Sequence, residues 1–100
     1  GATTLTQIKK AIEAAKRITT AGYLGDYLHK GKLVVPLGYA DIDQDIRSSY
    51  SQRNASYEEY LMFFENNRTI HIESATETFE SSEKLAKKAQ TALSAKLKSL

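Results

Sequence analysis

The stretch Ser56 to Ser74, SYEEYLMFFENNRTIHIES, limits the folds open to this chain more than any other. Tyr57, Tyr60, Leu61 and Phe64 fall at i, i+3, i+4 and i+7 on one side of a helix, and Met62 and Phe63 widen that side until little is left to meet water. A helix this apolar has to be covered on several sides, so the spacing predicts the aromatic core here. Ser56 with Glu59 three residues on is a Ser-x-x-Glu pair of the kind that caps a helix start. Asn66-Asn67 suits the left-handed conformation that ends a helix, and Thr69-Ile70-His71-Ile72-Glu73 then alternates polar and apolar as a half-buried strand does.

A strand needs a partner, and Lys32-Leu-Val-Val35 is the best available run. Pro36 has no N–H to give to a ladder, so this strand ends there or lies at a sheet edge. Two or three strands are marginal alone and must lean on helices. Thr4 to Ala21 supplies one, opened by Thr4-x-x-Gln7, striped by Leu5, Ile8, Ile12 and Ala15, and stopped at Gly22. Tyr23 to Lys30 reads as a short second helix stopped by Gly31.

Gly38 to Ala55 pulls two ways. Ile42, Ile46 and Tyr50 repeat every four residues and favour a helix with aspartates at its start, whereas RSSYSQRN from Arg47 to Asn54 is polar enough for a loop. The last element is plainer: Ser74-x-x-Glu77 resembles a cap, and Ala75, Phe79, Ser82, Ala86, Ala89, Leu93, Leu97 and Leu100 keep close to heptad spacing, with Ser81-Ser82 as a point of breaking or bending. Its Ala-rich seam predicts close packing on the N-terminal helix or, as a homodimer, on a second copy of itself. The expected fold is therefore α+β, one small domain over residues 1–100, with long N- and C-terminal helices packed around a central aromatic helix and a minimal two- to three-stranded antiparallel sheet.

Composition narrows the chemistry. One hundred residues with 41% hydrophobic and 26% charged residues suit an ordinary folded domain. The absence of cysteine removes disulfides, thiolate metal sites and a Cys nucleophile, and with no membrane-length apolar run or signal-like start the chain reads as intracellular and cytoplasmic. The net charge of +2 hides a segregation: residues 1–33 hold six Lys/Arg against two Asp/Glu, residues 34–80 three against nine, and residues 81–100 five against one. Basic ends flank an acidic middle and complement it.

Asp41, Asp43 and Asp45 alternate like the first three ligands of an EF-hand calcium loop. Ile46 stands where that loop needs Gly and Gln52 where it needs a closing Glu, so the string reads as an acidic helix start, with no metal and no cofactor expected. His29 and His71 lack ligand spacing, and no nucleophile elbow or Gly-rich phosphate loop is present. The sequons Asn54-Ala-Ser56 and Asn67-Arg-Thr69 are explained by the structural uses of Ser56 and Asn67.

What remains is a small non-catalytic protein that binds a macromolecular partner, another protein, as an adaptor, inhibitor or regulator. Six tyrosines without a tryptophan exceed what a core this size requires, and Tyr is enriched at interface hot spots. The polar middle is the expected partner surface: Tyr39, Asp41, Asp43 and Asp45, followed by Arg47, Tyr50 and Arg53. Two alternatives stand beside it. One is weak nucleic-acid binding through Lys9, Lys10, Lys16 and Arg17 on the first helix and Lys84, Lys87 and Lys88 on the last, if the two lie side by side. The other is a small enzyme with a carboxylate site at residues 41–45. A membrane role is not expected, because the apolar stripes of the basic helices are narrow and free of aromatics.

Overall fold

The computed structural model describes residues 2–22 and 35–100, which form three helices: α1 Ala2–Gly22, α2 Ala40–Asn66 and α3 Ile70–Lys98. No strand occurs among the described residues, so the expected α+β fold with its antiparallel sheet is replaced by an all-helical one. The expected Tyr23–Lys30 helix and residues 32–34 of the first strand lie outside the described residues, and Val35 is not in a strand.

The run from Thr69 to Glu73 opens α3 instead of pairing in a sheet. Backbone bonds from His71 N–H to Arg68 O (3.2 Å) and from Ile72 N–H to Thr69 O (3.0 Å) start the helix. Ile70 and Ile72 are both exposed while His71 between them turns inward, so the alternation never divided a buried face from a wet one. His71 Nδ1 is 2.9 Å from Glu59 Oε2 and its Nε2 is 3.1 Å from Asn66 Nδ2. Asn66 Oδ1 accepts from the Arg68 N–H, which aims the Asn66 amide nitrogen at His71; the neutral His71 tautomer with its proton on Nδ1 satisfies both contacts.

The central helix is twice as long as expected because the polar stretch 47–54 is helical. Asp41 and Asp43 lie in its first turn, where the helix dipole favours them, although Tyr39 at the cap position makes no side-chain capping bond. Ser56 and Ser74 are not caps, since both sit inside helices that began earlier. Thr4 likewise lies inside α1, two residues past its start. Asn67 does end α2, at φ 59° and ψ 27°, with its N–H donating to Phe63 O at 2.7 Å. Before α2, a turn closed by Tyr39 N–H to Pro36 O (3.1 Å) places Gly38 at φ 87°, a conformation that favours glycine.

α2 and α3 form an antiparallel hairpin. Its buried seam is Ile42, Ser49 and Ser56 from α2 with Ala75, Ser82 and Ala89 from α3, each set spaced by seven residues. Of the expected α3 seam, Ala75, Ser82 and Ala89 are buried, and α3 packs on α2, not on the N-terminal helix, whereas Ala86, Leu97 and Leu100 are exposed. Ser81-Ser82 does not interrupt α3. Small side chains let the two backbones approach, and the buried hydroxyls are satisfied inside their own helices: Ser49 donates to Ile46 O, Ser56 to Arg53 O and Ser82 to Phe79 O at 2.6–2.7 Å.

α1 packs on α2 alone, antiparallel to it. Thr20 Oγ1 donates to Asn54 Oδ1 at 3.0 Å and Lys16 pairs with Glu58 at 3.3 Å. Residues 4–11 of α1 are exposed throughout, with Leu5 at 52% and Ile8 at 45%. The radius of gyration, 16.2 Å, exceeds the roughly 13 Å of a compact 100-residue domain. Among the described residues, two helices and a side-packed third leave few side chains fully covered.

Candidate functional site

Helix geometry sorts the hairpin into three parallel stripes. Beside the small-residue seam, Tyr50, Arg53, Tyr57, Tyr60 and Phe64 follow one another at alternating intervals of three and four, so they share one flank of α2. Phe79 of α3 meets them there. Its ring centroid is 6.1 Å from that of Tyr57, and the Arg53 guanidinium lies over it at 4.6 Å. The Tyr60 hydroxyl is 3.2 Å from Thr76 Oγ1; Thr76 spends its own proton on Ile72 O, so Tyr60 is the donor.

The opposite flank is polar. Asp45, Gln52 and Glu59 recur every seven residues on α2, and two of them cross to α3, Asp45 to Lys88 at 3.3 Å and Glu59 to His71 at 2.9 Å. Gln52 Oε1 between them is buried with no hydrogen-bond partner. One side of the hairpin is thus held by an ion pair and a charge-assisted hydrogen bond, and the other by rings.

Every ring of the aromatic flank is half-buried, and so is Tyr39. The expected core helix therefore shows its aromatics along one open side. Tyr23 and Tyr27 lie outside the described residues. Between the helices this flank opens into a groove of about 350 Å³, floored by Ser49, Ala86 and Ala89 and walled by Ile46, Tyr50 and Leu93, with Arg53 and Gln90 at its rim. Its lining is mostly apolar and carries no convergent set of titratable groups, which suits side chains of a docking helix better than a reacting substrate.

The residues expected to recognise a partner are distributed differently. Asp43 is paired with Arg47 one turn on at 2.9 Å, Asp45 with Lys88, and Arg53 with Phe79 and Ser82. The Lys96 ammonium sits 5.0 Å from the Tyr39 ring centroid. Asp41 is exposed, and of the seven Tyr50 and Arg53 both line the groove and belong to the stripe. Asp43 and Asp45 turn to different partners, and among the described residues no group of three or more His, Asp or Glu side chains is placed to hold a metal ion.

The two basic sets do not merge. Since α1 and α3 do not pack together, Lys9, Lys10, Lys16 and Arg17 form no common track with Lys84, Lys87 and Lys88. Lys16 and Lys88 are also spent on Glu58 and Asp45. Tyr57, Tyr60, Phe64 and Phe79, together with the small residues Ala86 and Ala89, were not among the expected site residues. The signal for them was the three–four spacing that begins at Tyr50 and runs unbroken through the polar stretch.

Comparison with known proteins adds no relative: no family model, no curated protein and no solved structure matches the chain. No helix among the described residues is long and apolar enough to cross a membrane.

Proposed function

We propose that this chain is a non-catalytic protein that binds a macromolecular partner, another protein, through the aromatic side of its α2–α3 hairpin. The carrying observation is the row of half-buried rings Tyr50, Tyr57, Tyr60 and Phe64, with Arg53 among them, beside Phe79, while among the described elements α1 packs only on α2. Aromatic side chains with a polar tip bury large areas on association and dominate interface energetics. The proposal sets this work in the cytoplasm, in keeping with the cysteine-free composition. The separation of α1 from α3 favours a protein partner over nucleic acid, because the phosphate track would have required the two helices side by side.

The test is recovery of partners from native-host lysate on tagged wild-type chain and on Tyr57→Ala/Tyr60→Ala, with and without nuclease. The expected result is a stoichiometric protein that survives nuclease and is lost with the double substitution. Nucleic acid recovered alone, or a protein held equally by both baits, overturns the reading.

A further inference from the structure

The geometry points to the occupant of the groove between Ile46–Arg53 and Ala86–Leu93: an amphipathic helix of the partner whose apolar stripe is flanked by acidic residues. This rests on the binding reading above and adds the place and the charge class.

Shape argues for a helix. A floor made of Ser49, Ala86 and Ala89 leaves room for large side chains arriving from above, while Ile46, Tyr50 and Leu93 form apolar walls on both sides. Side chains repeating at i, i+3/i+4 and i+7 fit such a trough. α1 shows that the hairpin accepts a helix, since it lies along α2 and adds an ion pair, Lys16 to Glu58, at its edge.

Charge decides what flanks that helix. An adjoining hollow shares Arg53, Ala86 and Gln90 with the groove and is lined further by Lys84, Lys87 and one acid, Glu83. Lys84 and Lys87 make no ion pair among the described residues, unlike Lys16 and Lys88, which have found carboxylates. Cations left without partners at the edge of an apolar trough favour carboxylates on whatever enters it. They also disfavour a second copy of this chain, because two-fold pairing of the groove would set Lys84 and Lys87 against their own equivalents.

The experiment titrates the isotope-labelled full chain with two short helical peptides of identical leucine stripe, one flanked by glutamates and one by lysines, and reads backbone amide shifts. The expected result is perturbation centred on Ser49, Ala86, Ala89 and Gln90 by the glutamate peptide, with affinity about tenfold above that of the lysine peptide. Lys84→Glu/Lys87→Glu, two exposed positions that do not disturb the seam, should reverse that preference; Ala86→Glu should abolish both interactions. Equal affinity for the two peptides overturns the charge class and leaves the binding reading standing. Shifts elsewhere, or none, overturn the site. Self-association that competes with the peptide assigns the groove to a second copy. Shifts at Lys84 and Lys87 on adding an RNA duplex, with the groove floor silent, assign the rim to phosphates.

Discussion

The guanidinium of Arg53 stands over the ring of Phe79 at 4.6 Å, and its Nε donates to Ser82 Oγ at 3.3 Å, so a single α2 side chain spans the ring and the seam of α3. Arg53→Ala is expected to destabilise the chain by about 1–2 kcal/mol, with Arg53→Lys recovering less than half because an ammonium lacks the planar fork. Urea unfolding followed by circular dichroism measures both. A lysine variant as stable as wild type would show that the contact is a matter of charge alone.

Ser56 and Ser82 are fully buried, and each gives its hydroxyl to a carbonyl three residues earlier. Alanine removes donor and volume together at little loss, so Ser56→Ala should change stability by less than about 0.5–1 kcal/mol. Ser56→Leu forces the backbones apart and should cost about 3 kcal/mol or more, at or beyond the usual range for overpacking. The same melts decide it, and a tolerated leucine would mean the seam is looser than its spacing implies.

Gln52 Oε1 is buried without a partner between the Asp45–Lys88 ion pair and the Glu59–His71 hydrogen bond. Gln52→Met keeps the length and removes the orphaned acceptor, and the expected gain is about 1 kcal/mol. Loss of stability on this substitution would point to a partner that the amide does have in solution.

Glu59 and His71 close the tip of the hairpin at 2.9 Å. A double-mutant cycle with Glu59→Gln and His71→Ala should return a coupling of about 0.5–1 kcal/mol, in the range of one partly exposed hydrogen-bonded pair. Zero coupling would make the contact incidental to the tip.

At Asn67 the backbone is left-handed, φ 59°. Asn67→Gly should be near neutral, whereas Asn67→Val is expected to cost about 1–2 kcal/mol through Cβ crowding in that conformation. Thermal melting separates the two, at roughly 4–8 °C per kcal/mol for a chain of this size.

The parts legible in the sequence are those where periodicity was long. α1 and the heptads of α3 follow from their stripes, and the αL end at Asn67 follows from residue type. The sheet failed because five alternating residues, Thr69 to Glu73, are too few to separate a strand from a helix start. What decided it was a contact twelve residues back, His71 to Glu59, which no local pattern encodes. The expected caps at Ser56 and Ser74 lie inside helices for a related reason: a Ser-x-x-Glu pair also occurs in a helix interior, and Ser56, seven residues after Ser49, is a small residue that lets the helices close on each other. The expected partner surface at residues 39–53 combined polarity and rings without asking which charges had mates across the hairpin, and Asp45 and Arg53 have them.

A seam of small side chains at equal intervals says little about which rung of one helix belongs opposite which rung of the other. Sliding α3 by one heptad would again bring alanine and serine against serine along part of its length. The short connection from Asn67 to Thr69 and the contacts on the two flanks, Asp45 with Lys88 and Glu59 with His71 on one and Arg53 with Phe79 and Tyr60 with Thr76 on the other, are what distinguish the native alignment from its displaced neighbour. Register in this hairpin is therefore held at its tip and edges, and the walls of the groove stand opposite each other because of contacts that lie outside the seam.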